Sequence, residues 1–150
     1  MTTMLHTCPL TSSKFFGCYV ARNLPADVKS RRLPLALVLN CNVPGTGRHW
    51  AAIWVVNPTT VVYFCPMGRP PSREARQWMR QFRNFSRNHV SLQRRESTAC
   101  GAYVMYAIYQ FCRGQTLRQI VSKLREQRGR EDDFVTNFIQ KVSACAGKYM

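Results

Sequence analysis

The chain has 150 residues, and its 22 Lys and Arg against 7 Asp and Glu give a formal net charge of +15 at pH 7. A composition that is 45% hydrophobic and 11% aromatic excludes a disordered, collagen-like or coiled-coil protein, and a chain of this length can bury a substantial core. No uncharged apolar run reaches the roughly 18 residues that cross a bilayer, and no Lys or Arg precedes the mildly apolar start, so we expect an intracellular single-domain protein without membrane contact or secretory signal.

The first half of the chain predicts β-strands. Lys14–Ala21 and Leu33–Cys41 are rich in aromatic or branched residues and are bounded by Pro or Asn, which is typical of strands. A loop is expected at Asn42–Gly47. Trp50–Val56 and Val61–Cys65 flank a short turn, and together they predict an antiparallel hairpin at the centre of a sheet.

A basic helix is expected next, because Ser72 can cap a helical pattern that continues to Asn88. Arginines recur in it at intervals of three and four residues, which places them within about 80° of arc, opposite an apolar face. These arginines are Arg73, Arg76, Arg80, Arg83 and Arg87. They can form a solvated face, but few acids are available to pair with them, so the pattern favours the phosphates of a nucleic acid as their partner.

The second half of the chain predicts a short strand at His89–Gln93 and then helices. Cys100–Cys112 is almost wholly apolar and long enough for a buried helix. Two amphipathic helices are expected at about Thr116–Arg128 and Asp132–Ala144. The fold class is therefore α+β, with a mixed or antiparallel central sheet packed against a buried helix that starts at Cys100.

The candidate chemistry is that of a thiol nucleophile. The seven cysteines lack the close spacing of zinc sites, so no metal is expected. Cys100 heads a helix, where the aligned dipoles and free amides lower a thiol pKa. His49 is the best base, because His6 lies near the chain start and His89 begins an edge-like segment. Gln93 precedes the thiol closely enough to donate its amide to an oxyanion beside the Cys100 N–H.

Four blocks of residues, in order along the chain, resemble adenain, the adenovirus-type cysteine endopeptidase family, and more distantly the ubiquitin-like-protein proteases. The blocks are Phe15–Tyr19 with Arg22–Pro25, Gly45–Trp50 with Asn57 and Pro58, Tyr63–Gly68, and Gln93 with Ser97–Gly101. The resemblance implies that His49 is the general base, Cys100 the nucleophile, and Gln93 with the Cys100 amide the oxyanion hole.

The resemblance also implies a biological role. It is that of a viral endopeptidase of virion and host nucleus, which cleaves capsid or core precursor polypeptides at Gly-Gly-like sites and uses DNA, bound through the basic face, as an activity cofactor. The sequence does not settle the oligomeric state, and a monomer is the expectation. In the family a short viral peptide also activates the enzyme through a disulfide to a cysteine between acid and nucleophile. No cysteine lies between positions 66 and 99 of this chain, which argues against a peptide tethered in the same arrangement and leaves a noncovalent activating peptide open.

Cys65 departs from the family pattern, because it stands where the family carries the Glu or Asp that orients the histidine. A thiol is a weak hydrogen-bonding group. Asn57, a water or a backbone carbonyl could orient His49 instead, or Cys100 and His49 could work as a dyad. Cys65 itself is then either a weak third catalytic residue or a structural or redox-sensitive thiol.

Two other functions fit the sequence. One is a deconjugating protease for ubiquitin-like proteins, which uses the same chemistry on a folded substrate. The other is a catalytically inactive DNA-binding virion protein that keeps the fold, and Cys65 is the residue that favours it.

Overall fold

The computed structural model describes residues 2–42, 48–94 and 97–147. The predicted loop Asn42–Gly47 lies outside these ranges except for its first residue. Within the described ranges, none of the helices has the length and apolar character needed to cross a membrane.

A five-stranded mixed sheet forms the middle of the fold, with the strands in the order in which they occur along the chain. The strands are β1 (Phe15–Val20), β2 (Leu35–Asn42), β3 (Arg48–Asn57), β4 (Thr60–Phe64) and β5 (Asn84–Arg87). The central strands β2, β3 and β4 pair antiparallel, whereas each edge strand pairs parallel to its neighbour. The predicted hairpin is confirmed, with β3 in the middle position, and so is the α+β fold class.

Five α-helices accompany the sheet in the described part of the chain. They are α1 (Thr2–Thr7), α2 (Arg73–Met79), α3 (Cys100–Cys112), α4 (Leu117–Arg125) and α5 (Glu131–Gly147). The buried helix α3 has the bounds that the apolar run predicts. Thr116 and Gln119 form a capping box that sets the start of α4, and three acidic residues begin α5, where the helix dipole favours them.

The helix predicted over Ser72–Asn88 is wrong beyond its first two turns. Ser72 does cap it, since its hydroxyl accepts a hydrogen bond from the Ala75 amide, but the helix ends at Met79. The chain then forms β5, whose residues pair parallel with the free edge of β4. The ladder hydrogen bonds of a sheet edge outweigh helix propensity here. The strand predicted at His89–Gln93 is also wrong, because residues 88–94 take an irregular path.

The two faces of the sheet bury different residues of each strand. On one face, alternate residues pack under α3, and Trp54 stacks on Phe111 at a centroid distance of 5.4 Å. On the other face, residues such as Leu37 and Ile53 pack against α2. His49 is in phase with the α2 face by the alternation of β3, whereas Cys100 begins the helix of the opposite face. The two residues therefore meet only at the end of the sheet.

Candidate active site

Cys100 is the first residue of α3 and is 5% exposed. No side chain caps this end of the helix, so its first amides are available to a ligand. The Trp50 amide donates to the Cys100 sulfur at 3.0 Å, and the thiol donates to the Trp50 carbonyl at 3.2 Å. The thiol of the candidate nucleophile is thus hydrogen-bonded to the main chain of β3.

A cavity of about 130 Å³ brings Cys100 and His49 together. His49 is half-buried near the start of β3, and its Nε2 atom is buried without a hydrogen-bond partner in the described part of the chain. The outer lining of the cavity includes the exposed Arg69, Pro70 and Ser72, so the cavity opens to solvent on that side. An unpartnered imidazole nitrogen in a thiol-lined cavity is available to accept a proton.

The thiol of Cys100 is held in its protonated form. Burial raises its pKa from 9.0 to about 11; the hydrogen bond from the Trp50 amide counteracts this only in part, and nearby thiolates at Cys65 and Cys41 raise the pKa further. The lowered pKa expected from the helix N-terminus is therefore wrong for this conformation, because desolvation by burial is the largest cause of the shift. The geometry describes a resting thiol rather than a preformed thiolate.

Gln93 lies beside the turn that leads into α3 and is 4% exposed. Its side-chain amide donates to the Ser97 carbonyl at 2.9 Å, and its backbone amide donates to the Pro66 carbonyl at 3.0 Å. The carboxamide carries two donors, so one N–H remains for a further acceptor. The side chain is thus fixed in the segment that precedes Cys100, as a donor to an oxyanion would have to be.

Cys65 is the residue after β4 and also lines the cavity. Asn88 holds it in place: the Asn88 side chain accepts from the Cys65 amide at 2.9 Å and donates to the Cys65 carbonyl at 2.6 Å. Asn88 is buried, so these bonds replace strand pairing where β4 has ended. Sequence reasoning missed Asn88 because it assigned that position to the end of a helix.

None of the described residues that line the cavity is a carboxylate. Asn57, one of the alternatives for orienting His49, lies at the opposite end of β3 and is bonded to Thr59 in the turn. Asn57 is eight residue steps along the extended strand from His49, a distance of about 26 Å. Asn57 is therefore excluded as the orienting group, whereas the dyad, a water and a backbone carbonyl stay open.

Two further residues of the cavity escaped the sequence analysis. Cys41 pairs across the strands with His49, and its sulfur lies 3.7 Å from the hydroxyl of the buried Tyr63. Burial is the main cause that raises the pKa of Tyr63 far above its ordinary value, so it remains a neutral phenol. Only the register between β2, β3 and β4 brings these residues to the site. No group of three or more His, Cys, Asp or Glu in the described ranges could hold a metal ion.

The predicted arginine surface is split between three elements instead of lying on one helix. Arg73 and Arg76 belong to α2, Arg80 and Arg83 follow it, and all four are exposed. Arg87 lies on β5 and is half-buried, and its guanidinium donates to the carbonyls of Gly68 and Asn88. Four of the five arginines therefore face solvent, and from here on the term arginine surface means these four.

Comparisons with known proteins identify the fold. The crystal structure of the ASFV pS273R protease superposes with a TM-score of 0.55 at 17% sequence identity, covering 81% of this chain and 60% of that protease. Its selenomethionine form gives a TM-score of 0.54 at 22% identity, covering 73% and 55%. This chain thus spans little more than half the length of that protease and shares its fold. Comparison with protein-family models and with curated sequences finds no match.

Proposed function

We propose that the chain is a viral cysteine endopeptidase, with Cys100 as nucleophile, His49 as general base and Gln93 as an oxyanion donor. The observation that carries the proposal is the cavity at the end of β3: it is lined both by Cys100 at the helix N-terminus and by His49, whose Nε2 has no partner among the described residues, in the fold that the chain shares with a viral protease. Each role fits the chemistry of its residue type.

The proposed reaction begins when the Cys100 sulfur leaves the Trp50 carbonyl and gives its proton to His49 Nε2. The thiolate attacks the scissile carbonyl, and the oxyanion accepts hydrogen bonds from the Cys100 amide and the remaining N–H of Gln93. The imidazolium then protonates the leaving amine, which leaves a thioester on Cys100. His49 next removes a proton from water, and hydrolysis of the thioester restores the thiol.

The proposed substrates are capsid or core precursor polypeptides with Gly-Gly-like cleavage sites, met in the virion and the host nucleus. A small-residue site suits the small volume of the cavity, about 130 Å³. A noncovalent activating peptide is compatible with the proposal, because an activating partner could favour the step in which the sulfur leaves Trp50.

We expect the purified protein to cleave fluorogenic Gly-Gly peptides, and Cys100→Ala to lose about 10³-fold or more of that activity. The matched control is Cys112→Ala, which removes a second buried thiol from the other end of α3. Cleavage is measured with and without double-stranded DNA. Equal activity of the two variants would contradict the proposal, and cleavage of folded ubiquitin-like conjugates alone would replace it by the deconjugating function.

DNA is the proposed activity cofactor, and the arginine surface is its proposed binding site. Support comes from the net charge of +15 and from the four exposed guanidinium groups. Between Arg73 and Arg83, a range that the structure describes throughout, Glu74 is the only acidic residue. A second basic groove, which could extend the surface, lies between β5 and α4 and is lined by Arg87, Arg118, Arg125 and Arg128.

Neutralising Arg76, Arg80 and Arg83 to Gln is expected to lower the slope of log affinity against log salt by about 3, since each phosphate contact contributes about 0.9. The matched control removes the same charge elsewhere, at Arg22, Arg32 and Arg113, which are also exposed. Fluorescence anisotropy with a short DNA duplex over a salt series measures both. A similar slope change in the two triple variants would show that net charge, and not this surface, binds DNA.

A catalytically inactive DNA-binding protein is the second candidate function. It is favoured by Cys65 in the position of the acid and by the hydrogen bonds that hold the Cys100 thiol on Trp50. Under this alternative, the wild-type protein binds DNA but cleaves no peptide, whether or not double-stranded DNA is present.

A further inference from the structure

Three thiols converge on the cavity from three different segments of the chain: Cys41 of β2, Cys65 after β4 and Cys100 of α3. All three are free cysteines. Sequence separations of 24 and 35 residues between them are unrelated to any metal motif, and the described residues contain no metal-binding group.

Cys65 and Cys100 both line the cavity at the end of the sheet where β4 stops pairing with β3. The last pair along β4 joins Phe64 to Ala52, and Cys65 is the next residue. On β3, the main chain of Trp50 lies just beyond this last pair, and its amide and carbonyl contact the Cys100 sulfur. The Cys100 thiol thus contacts β3 two residues beyond the end of the β3–β4 ladder, at the end of the sheet where Cys65 follows β4 and lines the same cavity.

The electrostatics of the cavity agree with this proximity. Burial is the main cause of the raised pKa of Cys100, and a thiolate at Cys65 contributes more to it than a thiolate at Cys41. The Cys41 sulfur instead contacts the Tyr63 hydroxyl at 3.7 Å and the Leu39 carbonyl at 3.9 Å. In the described contacts of Cys65 the hydrogen bonds run through the backbone, which Asn88 anchors.

We infer that Cys65 is the resolving cysteine for Cys100, so that a peroxide converts the pair into a reversible intramolecular disulfide. The peroxide O–O bond breaks, one oxygen is transferred to the Cys100 sulfur as a sulfenic acid, and the other leaves as water. The Cys65 sulfur then attacks the Cys100 sulfur, an S–S bond forms, and the sulfenic oxygen leaves as a second water with the Cys65 proton. Two thiols lose two electrons, which reduce the peroxide.

The cavity meets the steric requirement of this chemistry. Its volume of about 130 Å³ admits a peroxide molecule, since a water needs roughly 15 Å³. Without a resolving thiol, a sulfenic acid proceeds to the sulfinic acid, which is not readily reversed. As regulation, the inference rests on the proposed function: the disulfide blocks the proposed nucleophile, and reducing thiols release it.

The test is non-reducing tryptic mass spectrometry of the full chain after exposure to hydrogen peroxide at pH 9, where more of the Cys100 thiol is ionised than at pH 7, and capping of free thiols. The three cavity cysteines lie on separate tryptic peptides, 33–48, 49–73 and 96–113. Cys112 shares the last peptide, so fragmentation assigns the linked sulfur. We expect a cross-link of Cys65 to Cys100 that dithiothreitol removes.

In Cys65→Ser and Cys65→Ala we expect complete loss of this cross-link and accumulation of sulfinic acid on Cys100, whereas the matched control Cys41→Ser forms the cross-link as the wild type does. Circular dichroism checks that each variant is folded. A cross-link of Cys100 to Cys41, or irreversible oxidation of Cys100 in the wild type, would overturn the inference.

The readout separates this inference from the proposed function, because the cross-link is detected without any activity measurement. A cross-link in a protein that cleaves no peptide would refute the protease function alone. Cleavage by a protein whose peroxide treatment yields no such cross-link would refute the resolving role alone.

Discussion

Alkylation of Cys100 in the unliganded protein is expected to be about 100-fold slower near neutral pH than alkylation of an unperturbed thiol. The thiolate is the reacting species, and burial is the main cause that raises the pKa of Cys100 from 9.0 to about 11. Below that pKa the thiolate fraction falls tenfold per pH unit, so the rate should rise about 100-fold from pH 7 to pH 9 without a plateau.

Timed iodoacetamide labelling read by mass spectrometry measures this profile, with N-acetylcysteine as the unperturbed reference. Cys112 is the internal control, because burial also raises its pKa to about 11 and no histidine is among the causes of that shift. We expect parallel profiles for Cys100 and Cys112, unchanged in His49→Ala. A fast plateau at Cys100 near pH 6 that His49→Ala removes would instead show a thiolate–imidazolium pair already formed in the free protein.

The second large effect is expected from Gly68→Ala. Gly68 has φ +69°, and an added Cβ would lie 2.7 to 2.8 Å from the main-chain atoms of Val90, His89 and Ser91. The backbone at Gly68 and the backbone of residues 89–91 would have to move apart. We expect a loss of about 3 kcal/mol in the free energy of unfolding, together with loss of the proposed activity.

The activity should fall because two segments of the candidate site are joined at this turn. Leu92 and Gln93 donate their amides to the Pro66 carbonyl, and Arg87 donates to the Gly68 carbonyl. Moving the turn displaces Cys65 and Gln93 relative to each other. Urea denaturation and peptide cleavage, measured on the same preparation, test both effects.

Gly114→Ala is the matched control for Gly68→Ala. Gly114 has φ +87°, but an added Cβ there meets no atom within 4 Å. Only the left-handed backbone conformation is penalised, at about 1 kcal/mol. If the two variants lost equal stability, the close packing of Gly68 against the main chain of residues 89–91 would contribute nothing to the stability of the site.

The elements that the sequence predicts well are those whose pattern alone decides their conformation. The apolar run Cys100–Cys112 is longer than an ordinary strand and long enough for a buried helix, and the structure gives α3 the same bounds. The alternation of β3 and β4 around a turn predicts their hairpin in the same way. The candidate nucleophile and base could therefore be selected by their positions on these elements.

The error over Ser72–Asn88 shows where local patterns fail. The arginine periodicity is real, but residues 84–87 form a strand because they pair with the edge of β4 that β3 leaves free. This pairing is not encoded within the segment, since it depends on a partner more than 20 residues earlier. Because the chain leaves β5 at this point, Asn88 does not end a helix but holds the backbone of Cys65.

By itself the sequence determined the α+β class, the central hairpin, the buried helix that begins at Cys100 and the strongly basic character, because periodicity, composition and charge are local properties. Only the tertiary structure decided which groups surround the thiol: the Trp50 main chain, the unpartnered Nε2 of His49, and the thiols of Cys41 and Cys65. It also decided the protonation of Cys100, because desolvation depends on what the completed fold packs around a group, and no local pattern records that.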